Sequence, residues 1–527
     1  MEKHWEFSSS NKLVDNKLKN MNLNKLQNEL YIIYKKMVEM EPFANELANK
    51  VQPDYRLSAK NLYRYLILRN HDLRKLHDTL SDIGVSSLRT SEGYVLSNIY
   101  NVLKILRRLQ NNSFNEELVA ETIGYKGSKA LIKKHANLLF NATEKSHFTE
   151  IMVTLPAESA DDINLVSEMV ANGMEIARIN LSHGDEEQWL KMIKNVRKVK
   201  KETNSKIKIY MDLSGPKIRT AKIEITDKSG KIKDHIRIQP GEHIILTKRK
   251  TLGEKSKFDD EKNQIKKAEV GVLLTEIIDD VQVGDMVLFD DGMIKSEVVA
   301  KTETDVELVI KECYKSRLGS NKGINLPNTK LNLPALTSRD IELLPFVAKH
   351  ADLVGYSFVR NNDDVKQLYQ HLGNLNAEHL GVIFKIENKE AFENLPQILL
   401  QGMKHNKIGV MIARGDLAVE LGFERISEVQ NQILWICEAA HIPVIWATQV
   451  LENLAKTGIP TRAEITDAVQ SANAECVMLN KGPYINDAIK VLRSVLEKIE
   501  NQKFKTKNAL RPLSIAKNTL LKLDTNL

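Results

Sequence analysis

Cysteine is scarce in this chain. Cys313, Cys437 and Cys476 are the only ones in 527 residues, too few for a disulfide framework and too far apart for a metal-binding spacing. They read as ordinary thiols of a protein kept in a reducing cytoplasm. Long apolar runs are missing as well. No stretch of about eighteen uninterrupted apolar residues occurs, so no membrane-crossing helix and no membrane partner is expected. The opening Met1-Glu-Lys-His-Trp-Glu lacks the apolar core of a secretory signal. Excess charge is also small. The formal net charge is +7, and residues 1–145 carry all of it, with 23 Lys and Arg against 16 Asp and Glu. A surplus of this kind is usually a solvated helical surface, and nucleic acid is not an expected partner.

What is present is a globular composition, 42% hydrophobic, in a chain long enough for several domains. Residues 1–145 read as an α-helical extension. Leu23, Leu26, Leu30, Ile33 and Met37 share an amphipathic spacing, as do Leu62, Tyr65, Leu66 and Leu73, and the stretch from Ser91 to Leu106 reads as a further helix. His135 stands alone there and is expected to be structural.

From Phe148 strands and helices alternate. Strands are expected at Thr149–Leu155, from Glu175, from Lys208, from Ala351, from Gly381, from Ile408, from Pro443 and from Glu475. A helix is expected from Asp161 to Gly173, another from Trp189 to Val199, and one with Ser338 as its N-cap running to Lys349. A last helix from Asp487 to Lys498 closes the series. Between Ile218 and Asn328 the alternation stops in favour of short strands and turns. The fold class is therefore α/β: a (β/α)8 barrel over 146–217 and 329–500, a small β-barrel lid inserted at 218–328, the helical extension at 1–145 and a basic tail at 501–527.

Chemistry concentrates at the ends of two consecutive strands. Gly381-Val-Ile-Phe-Lys-Ile-Glu ends in Lys385 and Glu387, two apart and hence on one side of the strand. Ile408-Gly-Val-Met-Ile-Ala-Arg-Gly-Asp ends at Asp416. Two carboxylates and a lysine at the carboxyl ends of parallel strands point to a divalent cation and an anionic substrate.

Taken together, Ala177-Arg-Ile-Asn-Leu-Ser-His-Gly, Met211-Asp-Leu-Ser-Gly-Pro-Lys-Ile-Arg-Thr, Gly323-Ile-Asn-Leu-Pro, Phe384-Lys-Ile-Glu-Asn, Ile412-Ala-Arg-Gly-Asp-Leu, Trp446-Ala-Thr-Gln-Val-Leu-Glu and Pro460-Thr-Arg-Ala-Glu resemble the pyruvate kinase family, in family order. The resemblance implies phosphoryl transfer between phosphoenolpyruvate and ADP, giving pyruvate and ATP, with Mg²⁺ or in its place Mn²⁺. It implies that Lys385, Arg178 and Thr448 are catalytic and that Arg178, Lys385, Gly415, Asp416 and Thr448 bind substrate. It further implies that His183, Arg219 and Asn180 approach the nucleotide, and that Glu387 and Asp416 hold the metal. Asn180, Ser182 and Asp212 match the surroundings of a monovalent cation. Family members with a lysine at the position of Lys217 generally do not require K⁺, so independence from K⁺ is expected, the ammonium entering the space beside those three residues. Ser357 and Lys322 are weaker candidates.

The chain departs from the family at Thr154-Leu-Pro-Ala-Glu, which lacks a glycine before the proline, and at Asn480-Lys-Gly-Pro-Tyr after the last strand, where Lys481 occupies a usual phosphate position of barrels. The family's C-terminal allosteric domain is expected to be absent, and an oligomer is compatible with the sequence. Two other readings stay open: a metal-dependent lyase or aldolase acting on a 2-keto acid, and a non-catalytic barrel that senses a metabolite.

Overall fold

The computed structural model describes residues 23–85, 88–112, 120–140, 149–226 and 230–500, with a short strand pair at 503–504 and 507–508. The first 22 residues and nearly all of the basic tail lie outside the described residues.

The apolar, β-branched runs after Phe148 form β1 (Glu150–Thr154), β2 (Ile176–Asn180), β3 (Lys208–Asp212), β4 (Leu353–Tyr356), β5 (Gly381–Ile386), β6 (Ile408–Ala413), β7 (Val444–Ala447) and β8 (Cys476–Leu479). They pair in that order, all in parallel, and β8 returns to β1. Every residue of β3, β5 and β6 is buried, which is why these strands read as continuous apolar runs.

The crossover helices start and stop where local chemistry dictates. Asp162 caps Ile163–Asn172 by accepting from the Asn164 and Leu165 amides, and Gly173, at φ 117°, ends it. The helix Ser338–His350 starts one residue earlier than Ser338 as a cap would imply. Thr337 is the N-cap, because its side chain and that of Asp340 close a reciprocal capping box.

The insert holds a six-stranded sheet in the order Ala268–Gly271, His243–Thr247, Asp305–Cys313, Ile294–Lys301, Met286–Phe289, Ile324–Asn325. Its ends meet through two isolated bridges, Thr220 to Val272 and Arg219 to Gly323. Ile244, Leu246, Val270, Val287, Phe289 and Leu308 fill its separate core.

Residues before the barrel form α1 (Leu23–Glu39), α2 (Glu41–Asn49), α3 (Arg56–Arg69), α4 (Arg74–Asp82), α5 (Val95–Leu109) and α6 (Tyr125–Phe140). Leu26, Leu30, Ile33 and Met37 of α1 are buried, as the spacing required. α1, α3, α4 and α5 share one continuous apolar core with the barrel, and α6 joins a second cluster with it. The C-terminal end of α6 inserts Leu139 and Phe140 into the N-terminal mouth of the barrel, among Ile176, Leu353, Ile383 and Met411. Gly381 and Gly409 make room for it, since a Cβ on either would lie 2.7 Å from a Leu139 methyl. Lys208 Nζ donates to the Leu139 carbonyl at 2.8 Å, and burial pushes this ammonium down to about 8. His135 is buried and bonds to the His441 carbonyl at 2.6 Å, a structural role. Asn61 of α3 donates to the Ala439 carbonyl at 2.8 Å.

Leu139→Ala should destabilise the protein by about 2–5 kcal/mol, the cost of an unfilled core site. Thermal unfolding reads this as a lowered midpoint; an unchanged midpoint would mean that the mouth closes without this side chain.

Candidate active site

The register of the parallel strands sets out the opposite, C-terminal mouth. Asp212, the last residue of β3, lies level with Asn180 on β2 and Gly355 on β4. Gly355 matters because a Cβ there would overlap the Tyr210 hydroxyl. That hydroxyl instead donates to Asp212 Oδ1 at 3.0 Å.

Asp212 is the hub. Arg178 donates to its Oδ2 from Nη2 at 2.6 Å and from Nε at 3.1 Å, and also from Nη1 to the Thr154 hydroxyl at 2.8 Å. Lys385 Nζ stands 3.3 Å from the same carboxylate, 3.0 Å from Glu387 Oε1 and 2.7 Å from the Ser357 hydroxyl. Burial alone would raise the Asp212 carboxyl, but Lys385 and Arg178 outweigh it and hold the group below the usual range. For Lys385, burial works to strip the proton, and the carboxylates of Asp212 and Glu387 more than restore it. Glu387 behaves differently. Burial pushes its carboxyl up, and the charges of Asp416 and Asp212 add to the shift against the pull of Lys385. Its second oxygen accepts from the Phe358 amide at 2.8 Å, and Phe358 holds a left-handed φ of 54°.

Asp416 does not end a strand. It lies in the first turn of the helix Arg414–Leu421, where the helix dipole favours a carboxylate. Lys217 Nζ reaches it at 3.0 and 3.3 Å. The ammonium therefore sits on Asp416 rather than beside Asp212, Asn180 and Ser182; Asp212 already has two cations, Arg178 and Lys385. Ser182 turns instead to the Ser214 hydroxyl at 3.1 Å and, through its amide, to Asn180 at 3.0 Å. The Gly415 amide donates to Thr448 Oγ1 at 3.0 Å, joining the β6 and β7 ends of the site.

On the far side of Arg178 a cavity of about 290 Å³ is lined by Thr154, Arg178, Asn180, His183, Lys456 and Lys481. Burial lowers the His183 imidazole, and Lys481, Arg219 and Arg178 lower it further, so it stays neutral among cations. Arg219 itself donates to the Asn321 carbonyl at 3.0 Å across the base of the lid. Lys322 is apart from this group and pairs with Asp290 inside the lid at 3.0 Å.

Among the described residues no group of three or more His, Cys, Asp and Glu side chains could enclose a metal ion. The pair Glu387 and Asp416 nevertheless fits Mg²⁺, which is held by one or two carboxylates with substrate oxygens and water completing its shell. The mutual repulsion that helps to raise Glu387 is what a cation between them would relieve.

Sequence reasoning passed over three residues. Tyr210 looked like an ordinary strand residue. Glu420, one turn beyond Asp416, accepts from Asn325 of the lid at 3.1 Å, and burial pushes it up to about 7. Arg414 lies inside a quoted motif without having been assigned a task.

A family model described as pyruvate kinase, barrel domain, matches residues 146–488. The chain belongs to the pyruvate kinase family. Pyruvate kinase from Dictyostelium discoideum is 33% identical over 360 residues, covering 67% of this chain and 66% of that protein. Pyruvate kinase from Geobacillus stearothermophilus is 31% identical over 359 residues, 67% of this chain and 57% of the relative. The chain thus spans less than two thirds of the length of these two pyruvate kinases. A solved structure of a pyruvate kinase from Cryptosporidium parvum aligns with a TM-score of 0.58 at 28% identity, over 67% of this chain and 70% of its own. The closed eight-stranded barrel is the pyruvate kinase barrel. No helix among the described residues is long and apolar enough to cross a membrane.

Proposed function

We propose that this protein transfers a phosphoryl group between phosphoenolpyruvate and ADP, forming pyruvate and ATP, with Mg²⁺ as cofactor and no requirement for K⁺. The observation that carries the reading is the buried, charged Lys385, 3.0 Å from Glu387 and linked through Asp212 to Arg178 at the barrel's C-terminal mouth. Phosphoryl transfer asks the protein for fixed cations around the phosphoryl oxygens and for in-line positioning rather than covalent chemistry. Lys385 and Arg178 are such cations, held by carboxylates that keep them charged and still. Glu387 and Asp416 would hold Mg²⁺, which when bound supplies positive charge to the phosphoryl oxygens. Thr448, joined to Gly415, faces the enolate carboxylate and the proton-transfer step. His183, Asn180 and Arg219 border the nucleotide, with Lys481 beside them. Residues 218–328 act as the lid, hinged at Lys217.

Independence from K⁺ follows from Lys217. In this structure its ammonium pairs with Asp416, 3.0 Å away, so the reading requires Lys217 to act on the monovalent-cation space from the rim of the site, as one fixed positive charge. A coupled assay of pyruvate formation with Mg²⁺ tests both statements. Rates are expected to be similar with a bulky organic cation alone and with added KCl, and Lys217→Glu is expected to create a K⁺ requirement. Folded protein with no turnover on any common nucleoside diphosphate would overturn the reading. Release of pyruvate from a hydroxy-keto acid without nucleotide would favour the lyase instead.

A further inference from the structure

Arg414 lies between β6 and the glycine and aspartate of the candidate site, and neither carboxylate of that site, Glu387 or Asp416, is its partner. Its guanidinium is nevertheless almost fully used. Nε donates to the Ala447 carbonyl at 2.9 Å. Nη2 donates to the Thr448 carbonyl. Nη1 and Nη2 together grip the Asp467 carboxylate, Nη2 to Oδ2 at 2.8 Å. The Cζ lies 4.8 Å from the centroid of the Trp446 ring. Asp467 comes from the helix Arg462–Ser471, after β7, so three elements meet on one side chain.

The segment that Arg414 holds is unusual. Thr448 and Gln449 sit at φ 67° and 56°, two consecutive non-glycine residues in the left-handed region. Such residues keep that conformation only where their surroundings impose it. Here the carbonyls of Ala447 and Thr448 are both fixed by the guanidinium, which sets the peptide planes that lead into and out of Thr448. The next residue along, Gly415, supplies the amide that meets Thr448 Oγ1 at 3.0 Å. One dipeptide therefore fixes Thr448 from both sides, through its carbonyl and through its hydroxyl.

The geometry points to Arg414 as a positioning residue: oriented by Asp467, it holds the Ala447–Thr448 carbonyls so that Thr448 keeps its left-handed turn and its hydroxyl stays registered against the Gly415 amide. The inference deepens the phosphoryl-transfer reading and rests on it for its catalytic consequence. Arginine is the residue for the task because a planar fork meets two carbonyls and a bidentate carboxylate at once; a lysine ammonium cannot. A displacement of Thr448 by about 1 Å is enough to cost about 10²-fold in rate.

The experiment compares Arg414→Gln, Arg414→Lys, Asp467→Asn and the double variant Arg414→Gln/Asp467→Asn with the unchanged protein. Four readouts are taken: kcat and KM for phosphoenolpyruvate, exchange of pyruvate methyl protons in D₂O by NMR, amide hydrogen exchange over residues 446–451, and thermal unfolding. Arg414→Gln is expected to lower kcat by about 10²-fold with KM for phosphoenolpyruvate little changed. Methyl exchange should fall with kcat, and the amides of 446–451 should lose protection. Arg414→Lys should not restore kcat. The double variant should be no worse than Arg414→Gln, because the pair acts as a unit. If Arg414→Gln does not fold, Asp467→Asn carries the test, with a smaller fall in kcat at unchanged KM. Wild-type kcat in a folded Arg414→Gln, or KM rising in step with a lost unfolding midpoint, would overturn the inference. The two failures are distinct. Absence of phosphoenolpyruvate-dependent ATP formation by the unchanged protein sinks the phosphoryl-transfer reading, whereas unchanged protection of 446–451 in Arg414→Gln sinks the positioning role.

Discussion

Lys385→Ala should lower the proposed phosphoryl transfer by about 10³-fold or more while the protein stays folded. The size follows from where charge develops. A cation fixed in a dry site acts on the group in flight, and removal of one such contact costs about 10²–10³-fold, more where a full positive charge is lost. The survival of the fold follows from Glu387. Its carboxyl is already pushed up by burial and by its acidic neighbours, so without the ammonium it takes up a proton rather than staying as a stranded charge. Asp212 keeps Arg178 at 2.6 Å. Steady-state kinetics with a coupled assay and a thermal melt decide the matter. A variant with near-normal kcat would remove Lys385 from the mechanism.

Asp212→Ala should do the reverse and strike stability hardest. The guanidinium left behind cannot be neutralised, and the ammonium can be only by giving up the charge that the site requires. A guanidinium does not deprotonate in proteins, and Lys385 would face Arg178 across a buried space with only Glu387 and Ser357 for company. Breaking one partner out of a buried charged set costs about 3–5 kcal/mol, so the unfolding midpoint should fall well below that of Lys385→Ala. The pH dependence carries a sign. Because Asp212 titrates lower in the folded protein, its contribution is full above the unfolded carboxylate pKa and is lost as pH drops through the folded one. Glu387, raised on folding, opposes this: its cost begins above the unfolded value and is complete once pH exceeds the folded value. The gap between wild-type and Asp212→Ala midpoints should therefore narrow in acid. A gap that widens as pH falls would place the stabilising charge elsewhere.

Much of this architecture is legible in the sequence, for a physical reason. Buried parallel strands need unbroken apolar runs, and the helices between them need a period near 3.6, so the alternation after Phe148 could be counted directly. Lys385 and Glu387 were legible because a two-residue offset fixes their common face. Asp416 was misplaced by one element: Arg-Gly-Asp after an apolar run reads equally well as a strand end or as the first turn of a helix. Ser338 and Thr337 are both acceptable caps, and only the reciprocal bond with Asp340 separates them. The partner of Lys217 was not legible at all, because which carboxylate it meets depends on how far Asp212 is already satisfied by Arg178 and Lys385. Arg414 and Glu420 fail for the same reason. Their meaning lies in Asp467, Thr448 and Asn325, which local periodicity does not connect to them.

The insertion of α6 into the barrel also imposes an order of assembly. Leu139 is synthesised before any barrel strand, yet its packing partners Gly381 and Gly409 belong to strands that emerge from the ribosome much later. The end of the helix must wait, with its apolar tip uncovered, until the strands have arrived and curved around it. Non-local closure of this kind is slow and leaves greasy surface open in the meantime. A lesion in α6 should therefore be felt as low yield of folded protein rather than as altered catalysis.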